Sequence, residues 1–303
     1  MGSVVVVGSV NADLLVRVAN LPLPGETVLA LDAANAAGGK GQAQVIAAAR
    51  FGAQTRFISV VGDDAEGTSA LDGLRREGVD TELVRISSAR TGLAVVATDS
   101  AGENSIIVIA GANVELESLT ADDKTAIADA DVVLMQLENG IAVVLETISL
   151  AREHGVTVVL NAAPPPEVGG TAVFDLLHHV DYLIVNEGEC LRIGGGSDVE
   201  SSARALARLC GSVLVTLGAQ GGALYRESQP TLSLPAVTVV PVDTTGAGDT
   251  FCGVFAAAIA EGQPIDEAFR LGLTAGSLAT LTRGNVPAIP TREQVLATRR
   301  AHP

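Results

Sequence analysis

The feature that most constrains the fold is a unit that recurs in the second half of the chain. Short apolar runs of strand length return every 25 to 31 residues, and amphipathic stretches of helical length lie between them; the runs begin at Asp131, Val156, Asp181 and Ser212. A run that is apolar throughout, rather than alternating, indicates a strand covered on both faces. A helix between successive strands makes them parallel. We therefore predict an α/β fold, with a central, mostly parallel sheet covered by helices on both faces.

The first hundred residues combine two kinds of pattern. Val4–Val7 and Phe57–Val61 are apolar runs that belong to the central sheet. The segments at about 14–36 and 91–109 instead contain short strand-like pieces broken by turn residues such as Leu23-Pro24-Gly25. They predict a small second β-sheet that serves as a lid over a pocket, although two ordinary edge hairpins explain the pattern as well. We expect one α/β domain over residues 1–303, with this lid as its appendage.

Charge and composition exclude several classes of partner. A formal net charge of −16 opposes binding to nucleic acid and to anionic membranes. No apolar run approaches the roughly 20 residues of a membrane span, and no basic signal region precedes the first strand. The three cysteines have no C-x-x-C spacing, which suits a reducing compartment. We expect a cytoplasmic protein with neither a nucleic-acid nor a membrane partner.

The segment Val242–Phe251, VDTTGAGDTF, is the most informative for chemistry. We interpret it as a strand end that passes through small residues into a helix. Small residues let the backbone approach a ligand, and the free N–H groups at a helix start attract an anion. Asp249 then lies in the first helical turn, where it is either an ordinary cap or a base beside the bound anion.

Three further segments carry groups that suit a sugar. The sequence Gly38-Gly39-Lys40-Gly41 combines close backbone approach with one cation, and it is not a Walker loop. In an extended backbone, Asn11 and Asp13 lie on the same side, where they can bind neighbouring hydroxyls or form a turn. Glu138 follows a predicted parallel strand, at the edge of such sheets where ligands bind.

Together these segments resemble the PfkB-type carbohydrate kinase family, in its ribokinase branch, over essentially the whole chain. No single motif is decisive, but nine of them occur in family order. They are SVNAD (9–13), PGETV (24–28), GGKG (38–41), GDDAEG (62–67), AGAN (110–113), LMQLE (134–138), N-x-x-E (186–189), TLGAQGG (216–222) and DTTGAGDTF (243–251).

The resemblance implies a role for each matching residue. Asp249 matches the general base that deprotonates the primary hydroxyl of a sugar, and Gly246, Ala247 and Gly248 match the anion hole for the γ-phosphoryl group. The other matching positions are the sugar contacts Asn11, Asp13, Gly39, Lys40 and Glu138; the nucleotide and Mg²⁺ positions Asn186, Glu189, Thr216, Gly218 and Gly221; and the K⁺ positions Asp243, Thr245, Ala279, Thr282 and Gly284.

The resemblance also implies the reaction and its partners. It predicts transfer of the γ-phosphoryl group of ATP to O5 of D-ribose, with Mg²⁺ as cofactor, K⁺ as activator and a homodimer formed through the lid. Same-family alternatives have 2-deoxyribose, a ketohexose, a sugar acid or a nucleoside as acceptor. An alternative of another class is a sugar-binding regulatory protein without catalysis. A nicotinamide enzyme is disfavoured because no strand leads into a G-x-G-x-x-G motif.

Two positions depart from the family pattern. Ala43 stands where ribokinases usually have an Asn that contacts the sugar, and its neighbour Gln42 is one residue out of register. One missing hydrogen bond weakens ribose binding by roughly 2- to 150-fold, depending on whether a partner is left buried and unpaired. Leu273 stands where a His often lies near the adenine. The identity of the sugar and the nucleotide preference therefore have to be determined by experiment.

Overall fold

A computed structural model describes residues 2–101, 103–165 and 177–302, and within them the strands form two sheets. The strands are β1 (Ser3–Val7), β2 (Asn11–Arg17), β3 (Asp32–Gly38), β4 (Gln54–Gly62), β5 (Val84–Ser87), β6 (Gly92–Thr98), β7 (Asn104–Ile109), β8 (Val132–Met135), β9 (Thr157–Asn161), β10 (Tyr182–Asn186), β11 (Ser212–Thr216), β12 (Gly222–Tyr225) and β13 (Leu232–Leu234). The large sheet has the order β13-β12-β11-β10-β9-β8-β1-β4-β5. Its strands are parallel except for β12 and β13, which run antiparallel to their neighbours.

Helices cover both faces of the large sheet. They are α1 (Lys40–Phe51), α2 (Ala65–Arg76), α3 (Ala121–Ala128), α4 (Ile141–His154), α5 (Glu187–Gly194), α6 (Val199–Leu206), α7 (Ala247–Ala260), α8 (Ile265–Ala279), α9 (Asn285–Ala288) and α10 (Arg292–Ala301). Val4 and Val6 of β1 pack with α1, α7 and α8, whereas Val5 and Val7 pack with α3, α4 and α6 on the opposite face. The strands between these two cores are therefore mostly apolar, and the predicted fold class is confirmed.

The small sheet has the order β3-β2-β6-β7. The pairing of β2 with β6 is parallel, and it joins the two predicted strand pairs into one sheet rather than leaving two separate hairpins. Asp13 of β2 is paired with Ala36 of β3 and with Ala94 of β6, so these three side chains share a face. The small sheet thus places Asp13 beside the GGKG segment, which follows directly from the end of β3.

One predicted element is wrong. The described residues 235–246 include no strand, so α7 follows a loop instead of a strand end. Pro235 and Pro241 lie in this segment, and proline cannot donate a ladder hydrogen bond. The N–H groups of Val242 and Asp243 both donate to the carbonyl of Thr280, at 2.7 and 3.2 Å, which fixes the loop against the end of α8. No helix in the described part of the chain is long and apolar enough to cross a membrane.

Candidate active site

The carboxyl ends of the parallel strands bring the predicted site residues to one edge of the large sheet. Glu138 lies shortly after β8, Asn186 ends β10, and Thr216 ends β11. The register pairs Asn186 directly with Thr216. Two hydrogen bonds draw helix α1 to the same edge: the backbone N–H of Lys40 donates to Glu138 Oε2 at 3.1 Å, and the Gln44 side chain donates to Asp249 at 2.9 Å.

Asp249 lies in the first turn of α7 and is only 8% exposed. Its Oδ1 accepts a hydrogen bond from Nε2 of Gln44, while its Oδ2 accepts none from the described residues. The start of α7 has no side-chain cap, because Gly246 occupies the N-cap position. The alternative in which Asp249 is an ordinary helix cap is therefore wrong, and the carboxylate has one oxygen left for other chemistry.

The backbone at the start of α7 is bare. Gly246 has a φ of 76°, in the left-handed region that glycine adopts without strain, and a Cβ there would overlap Oδ1 of Asn285. A Cβ on Gly248 would have no heavy atom of the described residues within 4 Å, so the space in front of this turn is open. The N–H of Ala247 donates to the carbonyl of Thr244 at 3.3 Å, whereas the N–H groups of Gly246 and Gly248 have no partner among the described residues. Such N–H groups at a helix start, with the positive end of its dipole, form a site for an anion.

The small sheet presents Asp13 and Asn11 opposite the GGKG turn. A Cβ on Gly38 would overlap the Asp13 carboxylate, and a Cβ on Gly39 would lie 2.7 Å from the backbone nitrogen of Asn11. Asn11 is oriented by Asn113, whose Nδ2 donates to Asn11 Oδ1 at 2.9 Å. The glycines therefore let the turn and the strand approach closely enough for both to contact one small ligand.

Four carboxylates surround one lysine at this site. The charge of Asp249, and then those of Glu138 and Glu189, raise the pKa of Lys40 despite the opposing effect of burial. Burial first, and then the charges of Glu138 and Asp249, raise the pKa of Asp13 to about 6. Asp249 and Glu138 act on both Lys40 and Asp13, so these four groups lie close together. The Lys40 ammonium group in turn opposes the rise in the pKa of Glu189 that burial causes.

Glu138 is held in place from two sides. Its Oε2 accepts the hydroxyl proton of Ser9 and the backbone N–H of Lys40. The hydroxyl of Ser9 in turn accepts from the N–H of Gly41 at 3.3 Å. The loops that follow β1 and β8 are thereby joined to the start of α1, so the SVNAD, GGKG and LMQLE motifs form one structural unit.

Asn186 and Glu189 have a structural role that the sequence analysis missed. The N–H of Glu189 donates to Asn186 Oδ1 and the N–H of Asn186 donates to Glu189 Oε2, both at 2.8 Å, which is a capping box at the start of α5. An Asn followed three residues later by a Glu is the sequence signal of such a box. Burial, the largest effect, raises the pKa of Glu189. The second oxygen of Glu189 accepts no hydrogen bond from the described residues and stays available to a ligand.

The predicted nucleotide positions lie next to this box. Gly218 begins a 3₁₀ turn, Gly218–Gln220, directly after β11, and Gly221 follows it with a φ of 95°. A Cβ on Gly221 would overlap the carbonyl oxygen of Leu234, so this position requires glycine. Leu273, which replaces the His frequent in the family, lines a groove of about 320 Å³ formed with the loop at 234–238.

The predicted K⁺ positions lie in the loop before α7 and from the end of α8 into the loop that follows it, and the two loops are joined by hydrogen bonds. Asp243 accepts the N–H of Thr245 at Oδ1 and the N–H of Gly284 at Oδ2, each at 2.9 Å. Burial opposes ionisation of Asp243, but these two backbone hydrogen bonds prevail and lower its pKa. The described residues hold no group of three or more His, Cys, Asp or Glu that would bind a metal by themselves.

Sequence reasoning also missed Gln44, Gln136, Asn161 and Asn285. The first three form a buried chain of amides that ends on Asp249. Asn285 is buried against Gly246, and its Oδ1 has no hydrogen-bond partner among the described residues. The one available signal was Gln44 itself, an amide within the otherwise apolar stretch from Ala43 to Ala49.

Comparison with known proteins agrees with this geometry. Residues 1–292 match the family described as pfkB family carbohydrate kinase. The ribokinase of Haemophilus influenzae is 36% identical over 299 residues and covers 96% of each chain. That of Bacillus subtilis is 35% identical over 97% of this chain and 98% of its own. The structure of Arabidopsis thaliana ribokinase complexed with ribose and ATP has a TM-score of 0.89 and 34% identity, over 99% of both chains.

The fold and the site define a sugar kinase, a phosphotransferase with an alcohol group as acceptor, and the chain belongs to the pfkB family of carbohydrate kinases. Within that family, the relatives described above are ribokinases, and the similarity extends over nearly the full length of each. The family predicted from the nine motifs is confirmed.

Proposed function

We propose that this chain transfers the γ-phosphoryl group of Mg·ATP to O5 of D-ribose, giving D-ribose 5-phosphate and ADP. The observation that carries the proposal is the environment of Asp249. It is a buried carboxylate in the first turn of a helix that starts in small residues, and its Oδ2 accepts no hydrogen bond from the described residues. Ribokinases that are 35 to 36% identical, and a related structure with ribose and ATP, support the choice of sugar and phosphoryl donor.

In the reaction, Asp249 Oδ2 accepts the proton of the O5 hydroxyl as the bond from O5 to the γ-phosphorus forms. The bond from the γ-phosphorus to the bridging oxygen breaks, and its electron pair leaves with ADP. Little covalent chemistry is required of the protein in such a transfer, so catalysis consists of positioning and charge stabilisation. The N–H groups of Gly246, Ala247 and Gly248 stabilise the negative charge of the phosphoryl group.

The sugar is bound between the small sheet and the GGKG turn. Asn11, Asp13 and Glu138 supply polar side-chain atoms for its hydroxyls, and Gly39 lets the backbone approach the ring. Lys40 offsets the charge of the surrounding carboxylates. We propose that the small sheet closes over the sugar as a lid, formed from about 14–36 and 91–109. Closure keeps water from competing with O5 as the phosphoryl acceptor.

The donor atoms of the site fit the two expected ions. Mg²⁺ prefers oxygen ligands and is commonly bound by one or two carboxylates together with phosphates and water, so Glu189 would hold it through water, beside Asn186 and the loop at Thr216, Gly218 and Gly221. When bound with ATP, Mg²⁺ neutralises charge on the β- and γ-phosphates. The ionised Asp243 and the carbonyls of Thr245, Ala279, Thr282 and Gly284 would hold K⁺ as an activator that orders the start of α7.

A coupled ADP-release assay tests the proposal. We expect D-ribose with Mg·ATP to release ADP far faster than the sugar-free blank, and addition of K⁺ to raise that rate. The same assay is run with 2-deoxyribose, a ketohexose, a sugar acid and a nucleoside, because Ala43 is fully buried and supplies no side-chain amide. If one of these acceptors has a higher kcat/KM than ribose, that acceptor and not ribose is the substrate. Sugar binding without ADP release would identify a regulatory protein.

Replacing Asp13 with Asn is expected to stabilise the fold at alkaline pH and to weaken catalysis. The folded-state pKa of Asp13, about 6, exceeds the ordinary value of 3.8, so the folded state retains a proton that the unfolded state releases. Stability therefore falls as the pH rises through this window, and the loss is complete above it. Asn does not titrate and avoids this loss.

Thermal unfolding at two pH values and kinetics on the same samples measure this effect. At pH 8 we expect the Asp13→Asn variant to unfold a few degrees above the wild type, and at pH 4.5 the difference should be much smaller. Loss of a charged hydrogen-bond acceptor should lower kcat/KM for the sugar by about 10- to 100-fold. A variant that unfolds below the wild type at pH 8 would show that the carboxylate is not destabilised by its neighbours.

We propose that the chain forms a homodimer through the small sheet. Ile107 and Ile109 of β7 lie on the face opposite Asp13 and are 63% and 53% exposed. An exposed apolar face on an edge strand favours association with another chain, and a second copy supplies a matching surface. Dimerisation of this face leaves the Asp13 face free to cover the sugar.

Light scattering coupled to size-exclusion chromatography tests the dimer. The wild type is expected at twice the chain mass of 30.7 kDa, and Ile107→Glu should elute as a monomer. Leu191→Glu is the matched control, since Leu191 is also an exposed apolar residue but lies on α5, away from the small sheet. A wild-type protein that stays monomeric at all concentrations, or a dimer unaffected by Ile107→Glu, contradicts this interface.

We further propose that the enzyme works in the cytoplasm. Cys190, Cys210 and Cys252 are all buried and unpaired by disulfides, as suits a reducing compartment. The kinase also requires ATP, which that compartment supplies.

A further inference from the structure

A buried chain of amide side chains lies beneath Asp249. Gln44 and Gln136 have no exposed surface, and Asn161 is nearly as buried. Nε2 of Gln44 donates to Asp249 Oδ1 at 2.9 Å and to Asn161 Oδ1 at 3.1 Å. Oε1 of Gln44 accepts from Nε2 of Gln136 at 2.6 Å. Gln44 thus connects α1, the ends of β8 and β9, and the first turn of α7.

The orientation of the Gln44 amide is set by its partners. An ionised carboxylate only accepts hydrogen bonds, so the atom that faces Asp249 must be the nitrogen. Asn161 donates its own Nδ2 to the carbonyl of Ile184 at 3.2 Å, which turns its Oδ1 towards Gln44. Both N–H bonds of Gln44 and its oxygen are therefore used. A rotation of this side chain would break three buried hydrogen bonds at once.

The helix that carries Gln44 packs directly against the helix that carries Asp249. A Cβ on Gly253 of α7 would overlap the backbone carbonyl of Gln44, so α1 and α7 are in contact at backbone distance. Gln44 is thereby fixed both through its side chain and through its helix. The Asp249 carboxylate is held by its Oδ1 at a point that the core of the protein determines.

From this arrangement we infer that Gln44 is the positioning residue of the catalytic base. It occupies Oδ1, fixes the plane of the carboxylate, and leaves Oδ2 as the oxygen that takes the proton from the sugar hydroxyl. The inference rests on the proposed function, in which Asp249 is the base. Misplacement of a reacting group by about 1 Å can lower a rate by about 100-fold, so holding the carboxylate has a measurable effect.

The test compares Gln44→Met with Gln136→Met. Methionine keeps the length of the glutamine side chain and removes its hydrogen bonds. We expect Gln44→Met to lower kcat by about 10- to 100-fold and to leave both KM values within about threefold, since no substrate contact is removed. Gln136→Met disturbs the same buried chain one side chain further from Asp249, and Gln136 Oε1 has no partner in the described part of the chain. Its kcat should fall no more than about threefold.

A double variant separates positioning from stability. In an Asp249→Asn background no base remains to be positioned, so adding Gln44→Met should change the residual kcat by less than about twofold. A purely structural role would lower kcat by the same factor in both backgrounds. Gln44→Asn, which keeps the amide but is one methylene shorter, replaces Gln44→Met if that variant does not fold, and the same loss of kcat is expected.

The outcomes distinguish this inference from the proposed function. If the wild type phosphorylates another sugar of the panel rather than ribose, the assignment of ribose fails, and the variants are compared on that sugar. If the wild type is active and Gln44→Met, or the Asn variant in its place, retains wild-type kcat, the positioning role is wrong. An equal loss of kcat in Gln44→Met and Gln136→Met overturns it as well.

Discussion

Replacing Asp249 with Asn is expected to lower kcat by about 10²- to 10⁴-fold, the usual contribution of a positioned general base. The amide has nearly the shape of the carboxylate, and its oxygen can still accept the hydrogen bond from Gln44 Nε2. It cannot take the proton of the sugar hydroxyl. The variant therefore removes one chemical property and leaves the packing at the start of α7 intact.

Nucleotide binding should survive this change. The groups proposed to bind ATP are the backbone at the start of α7 and the loop after β11, and neither uses the Asp249 side chain. We expect the dissociation constant for Mg·ATP, measured by calorimetry, to stay within about threefold of the wild type, since no hydrogen bond to the nucleotide is lost. The fold should be retained, because the carboxylate and the amide fill the same volume.

The measurement is steady-state ADP release with saturating sugar and Mg·ATP. Asp129→Asn is a suitable control, since Asp129 lies at the end of α3 near the amino ends of the strands, away from the site. That variant should keep wild-type kcat. If Asp249→Asn turns over within tenfold of the wild type, Asp249 is not the base and the mechanism proposed above must be abandoned.

Much of the fold was predictable because a strand that is buried on both faces has a continuous apolar run in the sequence. The runs that begin at Asp131, Val156, Asp181 and Ser212 became β8 to β11, since a strand between two apolar layers consists mainly of apolar residues. The strand end predicted at Val242 is wrong because apolar composition alone does not identify a strand. Two prolines and the hydrogen bonds to Thr280 hold this segment as a loop.

The site was predictable where its residues form short motifs, and not where it depends on distant partners. Asn11 and Asp13 are two residues apart in the sequence, and the extended backbone of β2 places them on the same side, as predicted. The bond from Gln44 to Asp249 joins residues 205 positions apart, and neither side chain indicates the other in the sequence. The contact of Asn285 with Gly246 likewise depends on how the loop after α8 returns to the start of α7.

Asn186 and Glu189 show that one motif can carry two functions. The N-x-x-E spacing is sufficient to start a helix, and the structure uses it as a capping box. The same box holds the Glu189 carboxylate half-buried at the edge of the large sheet, near Lys40 and Asp249. Sequence spacing alone could not separate the two roles, because both require the same two residue types at the same distance.

Replacing Gly246 with Ala is expected to lower kcat by about 10²- to 10³-fold, the effect of losing an anion-stabilising donor. The φ of 76° would strain an alanine by about 1–2 kcal/mol. Its Cβ would also overlap Oδ1 of Asn285, so the backbone at the start of α7 has to move. Both effects displace the N–H groups that are proposed to stabilise the phosphoryl group.

Gly155→Ala separates the effect on the anion site from the strain of a positive φ. Gly155 ends α4 with a φ of 70°, and an added Cβ would meet no heavy atom of the described residues within 4 Å. It lies at the amino end of β9, on the opposite edge of the sheet from Asp249. Gly155→Ala should therefore lower the unfolding temperature by a degree or more, through the same strain of about 1–2 kcal/mol, without changing kcat.

The comparison of the Gly246→Ala variant with the Gly246→Ala/Asn285→Ala double variant then identifies the cause of the lower kcat. Removing the Asn285 side chain relieves the overlap but not the strain at position 246. If the backbone amides stabilise the transferring group, the double variant recovers part of the unfolding temperature while kcat stays low, because an alanine at 246 still moves the helix start. Recovery of wild-type kcat would assign the loss to the contact with Asn285. A Gly246→Ala enzyme with wild-type kcat would show that this turn does not bind the phosphoryl group.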